Sequence, residues 1–279
     1  MPELPEVEVT RIGIKPHIEG KTITGVKIID GRLRKPVPRN LPAILKGQQV
    51  IAIDRRGKYI LLEMDAGHLI VHLGMTGTLR VLSSAEGLKL HDRVIFEFGS
   101  LSLRFHDPRK FGIVLWHPKS EGPVEFNSIF KKMGVEPFST GFSGDSGSEL
   151  LFLCSRGRKV SVKQFLLAGQ AVVGVGNIYC SESLFEAGIH PAKVAGNLSR
   201  KQCARLANAI RLTLEKAIHA GGSSLKDFVN SDGSPGHFMM QTMTYGREGK
   251  LCVMCKSSVI MKIVQGQRST YFCASCQKR

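Results

Sequence analysis

Apolar and polar positions alternate in short runs through the first part of the chain, between residues 22 and 116. The runs TITGVKIID, QQVIAIDRRGKYILLEM and HLIVHLGMTGTLRVL are β-rich and partly alternating, which predicts strands. Only Gly99 and Ser100 separate VIFEF from LSLRF, and a glycine first in a two-residue loop predicts a type II′ hairpin turn. Several short strands at this spacing predict a sandwich or a barrel.

A helical pattern replaces this alternation in the second half of the chain. The segment from Asn177 to Ala187 is predicted to be a helix that stops at Gly188. Ser199 and Gln202 form a capping-box pattern at the start of a second helix, which is predicted to end at Gly221. One apolar stripe runs along this second helix and consists of Leu206, Ile210, Leu214 and Ile218.

The domain organisation follows from these changes of pattern. The stretch PFSTGFSGDSGSE, residues 137–149, is rich in Gly and Ser and is predicted to be an interdomain linker. It separates a strand-rich domain at residues 1–136 from a helical domain at residues 150–244. Residues 245–279 form a third, small unit. The sequence shows no internal repeat.

Four cysteines of this small unit form two close pairs, Cys252 with Cys255 and Cys273 with Cys276. Their C-x2-C-x17-C-x2-C spacing falls in the range of zinc sites. Four thiolates would fill the tetrahedron and leave no position for water, so we expect one structural Zn²⁺ that supplies folding energy. Four incidental cysteines or a redox pair are the alternatives.

Charge adds a class of partner to this picture. Lys and Arg number 39 against 23 Asp and Glu, a formal net charge of +16, which favours nucleic acid as the partner. An anionic membrane surface is the alternative, but the sequence has neither a basic amphipathic helix nor an apolar run of about 20 residues. The acidic start MPELPEVEVTR does not resemble a secretory signal, and we expect a cytoplasmic monomer.

The N-terminus offers a candidate nucleophile. A small second residue such as Pro2 usually allows removal of Met1, which would expose a secondary amine. An α-amino group has a pKa of about 7.7–8.0, so a useful fraction is unprotonated at neutral pH and can attack a sugar carbon to form an iminium ion. Glu3 and Glu6 could move protons or stabilise that cation. The residues alone leave open an ordinary N-terminal proline and glutamates of a first helical turn.

Nine motifs in chain order carry a family resemblance: MPELPEVE, RRGKY, HLGMTG, HDPRKFG, VVGVGNIY, SLFEAGIHP, GGSSLKDF, YGREG and QRSTYFCASCQ. They resemble the bacterial formamidopyrimidine-DNA glycosylases, also called 8-oxoguanine DNA glycosylases, over nearly the whole length. The resemblance implies an α+β fold with an N-terminal β-sandwich, a helix–two-turn–helix domain and a C-terminal zinc hairpin. It also implies a bifunctional glycosylase and AP lyase that excises oxidised purines, 8-oxoguanine and formamidopyrimidines, from damaged double-stranded DNA in base excision repair.

The same resemblance implies catalytic roles. Pro2 would be the Schiff-base nucleophile, Glu3 the acid that helps to open the sugar ring, and Glu6 a nearby support for the intermediate. Lys58 would donate a proton near the scissile phosphate and the departing base, although without the resemblance it is a strand-edge lysine. Arg268 would assist the second of two successive steps, β- and δ-elimination.

Contacts with DNA are implied in the same way. A base inside a duplex is reached only after its nucleotide is flipped out, and Met75, Arg109 and Phe111 would fill the gap. From the residues alone, the methionine and the phenylalanine would be core. DNA is expected in a basic cleft between the two main domains, and residues 221–238 would close over the everted base. The other expected DNA contacts are His91, Arg158, Lys163, Asn177, Ser223 and Tyr245.

Two alternatives stay open at this point. Endonuclease VIII-type enzymes, which prefer oxidised pyrimidines, usually begin PEGPE, whereas this chain has PELPE, and its DPRKFG loop also matches the purine-type enzymes. A zinc protein that binds DNA without cutting it would carry the same charge and the same cysteines.

Overall fold

A computed structural model of the chain describes residues 2–223 and 237–278. These residues form helices and antiparallel sheets, which confirms the predicted α+β class. The chain divides into two compact units: unit 1 contains residues 1–131 and 220–237, and unit 2 contains residues 132–219 and 238–279. Within the described ranges, no helix combines the length and the apolar character needed to cross a membrane.

Two four-stranded antiparallel sheets form most of unit 1. One has the strand order β1-β6-β7-β5, with β1 Gly25–Ile28, β6 Asp92–Phe98, β7 Leu101–His106 and β5 Thr78–Ser83. The other has the order β2-β3-β4-β8, with β2 Val50–Arg56, β3 Tyr59–Met64, β4 Gly67–His72 and β8 Ile113–Pro118. The helices of this unit are α1 Leu4–Ile18 and the short α2 Leu41–Leu45. Two separate sheets make the fold a sandwich, and the barrel alternative is wrong.

Alternation along the strands builds the core of unit 1. Side chains from both sheets and from α1 form one buried cluster, with Ile14, Ile60 and Phe96 among its members. Burying a side chain of this size contributes about 1.5–3 kcal/mol. The predicted hairpin is confirmed, since Phe98 pairs with Leu101 and Gly99 has a φ of 72° in the two-residue loop.

A cluster of charged side chains fixes α1 against β2. The Glu8 carboxylate accepts hydrogen bonds from Arg11 Nη2 at 2.6 Å and from Arg55 Nε at 2.8 Å. Arg11 Nη1 also donates to the carbonyl oxygen of Ile53 at 3.1 Å. Burial opposes the charged carboxylate, but the hydrogen bonds from both arginines lower the pKa of Glu8. The first turns of α1 are therefore anchored, which fixes the position of its N-terminal end.

Unit 2 is helical and ends in a hairpin. Its helices are α3 Gly144–Ser155, α4 Val162–Leu167, α5 Asn177–Glu186 and α6 Arg200–His219, and its antiparallel strands are β9 Ile260–Gln265 and β10 Arg268–Cys273. The predicted end of α5 is confirmed, because Gly188 follows it with a φ of 67°. The predicted capping box is also confirmed, with Ser199 N–H bonded to Gln202 Oε1 at 3.0 Å and Gln202 N–H bonded to Ser199 Oγ at 3.2 Å.

The segment predicted to be a linker, residues 137–149, differs in the structure. Its second half forms the first turns of α3. A Cβ on Gly147 would lie 2.6 Å from the carbonyl oxygen of Phe142 and 3.4 Å from the Cβ of Ala207 on α6. Gly147 therefore allows close packing rather than flexibility, and the glycine content of a segment does not distinguish these two roles.

Replacing Gly147 with valine should destabilise unit 2, because no room exists for the added side chain beside Phe142 and Ala207. Overpacking of this kind costs about 1–3 kcal/mol, and we expect a lower midpoint of thermal unfolding by circular dichroism. Ser146→Val, one residue earlier and exposed, controls for the helix propensity of valine. Equal midpoints for the two variants would mean that this segment tolerates bulk as a linker does.

Candidate active site and nucleic-acid interface

The N-terminal end of α1 gathers the predicted nucleophile and two acidic side chains. Helix α1 begins at Leu4, with Glu3 as its N-cap residue and Pro2 directly before it. The side chains of Glu3 and Glu6 are buried, with 2% and 1% exposure. Glu6 Oε2 accepts the Glu3 N–H at 2.7 Å. Carboxylates are stabilised at a helix N-terminus by its partial positive charge, which explains why local sequence can place two of them there.

A segment far along the chain reaches the same carboxylate. The Ser223 N–H and Oγ donate to Glu6 Oε1 at 2.7 and 2.8 Å, and Ser223 is buried. Gly222 has a φ of +79°, and a Cβ there would lie 3.2 Å from Glu6 Oε1. Both donor groups of Ser223, a residue expected to contact DNA, are thus engaged by Glu6. The remainder of the predicted closing loop, residues 224–236, lies outside the described residues.

Lys58 lies in the tight turn between β2 and β3, not along a strand edge. The turn is possible because Gly57 adopts a φ of 58°. Burial, with smaller effects of the charges on Lys58 and Arg34, lowers the pKa of His72 to about 4. His72 therefore stays neutral near pH 7, and its Nδ1 accepts the Gly74 N–H at 2.9 Å.

The three residues predicted to fill the duplex gap lie on two neighbouring loops, one after β4 and one after β7. Met75 and Phe111 are 40% and 41% exposed, unlike core residues. The Arg109 guanidinium lies 4.9 Å from the centroid of the Phe111 ring. A Cβ on Gly74 would lie 2.5 Å from the carbonyl carbon of Phe111, so the two loops touch through their backbones. The structure thus brings together the two loops that carry these three residues.

His91 lies beside the same loops in an unusual backbone conformation, with a φ of 79°. Its Nδ1 is 3.1 Å from Arg93 Nη2. A guanidinium can only donate, so Nδ1 accepts and the proton of the neutral ring resides on Nε2. His91 can therefore offer an Nε2–H donor to an anion.

In unit 2, the N-terminal end of α5 meets the zinc hairpin. Asn177 Nδ2 donates to the Ser269 carbonyl oxygen at 3.1 Å and to the Tyr245 hydroxyl at 3.4 Å. Arg268, one residue before Ser269, is exposed at the start of β10. Asn177 and Tyr245 are therefore hydrogen-bonded next to the start of the strand that carries Arg268. Arg158 is exposed after the end of α3, and its carbonyl oxygen accepts the Gly196 N–H at 3.0 Å.

Lys163 differs from its predicted position on the DNA-binding surface. The side chain is fully buried, at 0% exposure. Its Nζ donates to the Thr270 Oγ1 at 2.7 Å and to the Ser269 carbonyl oxygen at 3.1 Å. Lys163 is buried because α4 directs its side chain at strand β10. A buried ammonium does not reach a phosphate of bound DNA, so the structure argues against the predicted direct contact.

Sequence analysis missed Glu182, which organises the segment around Tyr245. Its buried carboxylate accepts the backbone N–H groups of Met243, Thr244 and Tyr245 at 2.8, 3.0 and 2.7 Å. Burial raises the pKa of Glu182, although the three N–H donors oppose this shift. The only available signal was a glutamate in a predicted helix that also carries Tyr179, Leu184 and Phe185, on what proves to be its buried face.

The four cysteine sulfurs of the hairpin lie within 4.8 Å of one another. Cys252 and Cys276 have their Sγ atoms 3.8 Å apart, and Cys255 and Cys273 have theirs 3.7 Å apart. Four sulfurs at about 2.3 Å from a central zinc ion are separated by about 3.8 Å, so this donor set fits a tetrahedral site. A disulfide would need about 2.05 Å. Cysteine sulfurs would fill all four positions of the tetrahedron, which makes the metal structural.

Comparison with protein families covers most of the chain. Residues 1–114 match the formamidopyrimidine-DNA glycosylase N-terminal domain, and residues 133–229 match the formamidopyrimidine-DNA glycosylase H2TH domain. Residues 249–279 match the zinc finger found in FPG and IleRS. The last match and the geometry of the cysteines together confirm one structural zinc ion.

Curated relatives and solved structures agree with these matches. Formamidopyrimidine-DNA glycosylases of Polynucleobacter necessarius and Burkholderia lata are 70% and 53% identical, with both chains fully covered. A Lactococcus lactis FPG mutant with Fapy-dG-containing DNA has a TM-score of 0.91 at 32% identity, with full coverage of both chains. MutM in complex with DNA that contains carbocyclic 8-oxo-G has a TM-score of 0.89 at 33% sequence identity, again with full coverage of both chains. The chain therefore belongs to the formamidopyrimidine-DNA glycosylase family.

Proposed function

We propose that this chain excises oxidised purines from damaged double-stranded DNA and then cuts the strand at the resulting abasic site. The observation that carries the proposal is Pro2 at the N-terminal end of α1, next to the buried Glu3 and Glu6. Solved relatives of 32% and 33% identity hold DNA with Fapy-dG or an 8-oxoguanine analogue, which supports this substrate class. The net charge of +16 suits a polyanionic substrate.

The reaction begins with the lone pair of the Pro2 nitrogen, after removal of Met1. The nitrogen bonds to C1′ of the damaged nucleotide, and the base leaves with the electron pair of the glycosidic bond and a proton. Glu3 protonates the ring oxygen as the sugar opens, which produces an iminium ion. Loss of a C2′ proton then expels the 3′ phosphate, and a second proton loss expels the 5′ phosphate. The positively charged nitrogen is the electron sink for both eliminations.

The buried acids suit these steps in different ways. Both oxygens of Glu6 accept hydrogen bonds, from Glu3 N–H and from Ser223, which fixes the carboxylate beside Pro2. A fixed carboxylate stabilises an adjacent cation without reorganisation during the reaction. Glu3 is then the proton donor to the sugar, and Lys58 donates near the departing base and the scissile phosphate.

The DNA-facing residues divide by what they contact. Met75 and Phe111 fill the gap left by the flipped nucleotide, and Arg109 hydrogen-bonds the orphaned cytosine. Phosphates are bound by the Nε2–H of His91 and by the N-terminal end of α5 at Asn177. Tyr245 and the exposed Arg158 complete the phosphate contacts, and Ser223 contacts the everted base.

Lys163 acts through the hairpin rather than by touching DNA. Its buried ammonium binds Ser269 and Thr270, which directly follow Arg268 in β10. A charge-assisted hydrogen bond to a backbone carbonyl fixes the strand from which Arg268 extends. Arg268 can then assist the second elimination from a defined position.

Borohydride treatment of the protein with an 8-oxoguanine duplex should trap a covalent adduct at Pro2, because reduction of the iminium ion gives a stable amine. Peptide mapping of the adduct identifies the nitrogen. A form that retains Met1, in which this nitrogen is an amide, should bind the duplex but give neither adduct nor cleavage. Normal excision by that form would overturn the mechanism. Binding without adduct or cleavage by the processed form would instead identify a silent DNA-binding protein.

Cleavage of matched duplexes should favour 8-oxoguanine over thymine glycol, because the PELPE start and the DPRKFG loop, which carries Arg109 and Phe111, match the purine-type enzymes. Single-turnover rates on the two duplexes, each with its natural opposite base, measure the preference. A faster rate on thymine glycol would assign the chain to the pyrimidine-preferring alternative and leave the covalent mechanism intact.

Lys163→Met should raise the fraction of product that stops after β-elimination, because Arg268 loses its fixed strand. The loss of partners for Ser269 and Thr270 costs about 1–3 kcal/mol, so zinc content and thermal midpoint are measured in parallel. Lys159→Met, four residues earlier and exposed, removes the same charge without touching β10. Product distributions that are equal for these two variants would rule out the positioning role.

A further inference from the structure

Asp107 is a fully buried carboxylate that the mechanism above does not use. Its Oδ1 accepts the hydroxyl of Thr76 at 3.1 Å and the backbone N–H of Arg109 at 3.2 Å. Its Oδ2 accepts the backbone N–H of Gly112 at 2.8 Å. Thr76 belongs to the loop after β4, whereas Arg109 and Gly112 belong to the loop after β7. One side chain thus joins two loops that are separated in sequence by about thirty residues.

The backbone of Asp107 extends these connections to a third segment. Its N–H donates to the His91 carbonyl oxygen at 3.1 Å, and its own carbonyl oxygen accepts Arg93 Nε at 2.8 Å. Arg93 also faces the His91 ring, with Nη2 3.1 Å from Nδ1. The histidine is therefore held both by its backbone and by its ring.

Each of these contacts adjoins a residue assigned above to DNA. Thr76 follows Met75, Gly112 follows Phe111, and Arg109 is itself a partner of Asp107. The side chains that would enter the duplex are exposed, whereas the groups that hold their backbones are buried. Insertion into DNA favours loops that are already ordered, because ordering them on binding would cost about 1–2 kcal/mol per residue.

We propose that Asp107 is a positioning residue that holds the loops of Met75, of Arg109 and Phe111, and of His91 in their DNA-inserting arrangement before DNA binds. This inference rests on the proposed function. An aspartate suits the task because an ionised carboxylate only accepts, and the groups of Thr76, Arg109 and Gly112 that face it all donate. Asparagine would turn an NH₂ group toward at least one of those donors.

Other contacts make the same loops rigid. The neutral His72 accepts the Gly74 N–H, and Gly74 packs against the backbone of Phe111. Gly77 has no room for a side chain either, since a Cβ there would lie 2.2 Å from the Leu73 carbonyl oxygen. The hydroxyl of Thr76 is then the specific link from this loop to Asp107, and it can be removed without changing the volume of the side chain.

Thr76→Val and Thr76→Ser are the matched pair that tests the inference. Valine keeps the shape and removes the hydrogen bond to Asp107, whereas serine keeps the hydroxyl. Single-turnover excision is measured on an 8-oxoguanine–cytosine duplex and cleavage on a duplex with a preformed abasic site, where there is no base to evict. We expect Thr76→Val to lose about tenfold on the damaged base and to stay near wild type on the abasic site, with Thr76→Ser restoring excision.

Three outcomes distinguish a failure of the proposed function from a failure of the positioning role of Asp107. Absence of excision by the wild-type chain would refute the proposed function itself. If wild-type excision is normal and Thr76→Val matches it, the positioning role of Asp107 is wrong. Equal losses on both duplexes would also overturn it, because a general structural defect does not distinguish base eviction from strand cleavage. Asp107→Asn should show the same selective loss as Thr76→Val. If the double variant loses more excision than either single variant, the two residues act independently and the shared positioning role is wrong.

Discussion

A charged group taken out of water needs hydrogen-bond partners, because leaving it unpaired in the interior costs several kcal/mol. In this chain each of four such charges has at least one partner on a segment remote in sequence. Glu6 on α1 binds Ser223, 217 positions away, and Lys163 on α4 binds Thr270, 107 positions away. Asp107 and Glu182 bind loops in the same manner. The positions of the candidate functional loops depend on these few buried charges.

The sign of each buried charge matches the groups it has to hold. Loop segments turn several backbone N–H groups in one direction, and Asp107 and Glu182 each accept from more than one of them. Lys163 faces a carbonyl and a hydroxyl oxygen on β10, for which an ammonium is the natural donor. These contacts order a backbone without covering the exposed side chains beside it. Precise placement of exposed groups is what a base-flipping enzyme needs.

The hairpin at the C-terminus depends on a metal ion rather than on a buried charge for its stability. About thirty residues bury too little apolar surface to fold alone, so four thiolates and one zinc ion supply the missing stability. Lys163 and Asn177 then bond to the Ser269 carbonyl oxygen at the start of β10. The metal gives the hairpin its shape, and the polar contacts from α4 and α5 fix its strand within unit 2.

The sequence by itself determined the features that depend on near neighbours. Residues a few positions apart set hairpin loops, helix caps, helix ends and the spacing of metal ligands. For this reason the turn at Gly99, the ends of α5 and the zinc site of the four cysteines could be predicted. The tertiary structure alone decided which polar residues are buried and what they bind. Residues 137–149 were predicted to be a linker, but Gly147 serves close packing there, and Lys163 was predicted to contact DNA but binds β10. Periodicity and composition describe a residue's own segment, whereas burial of a charge depends on groups that only folding brings to it.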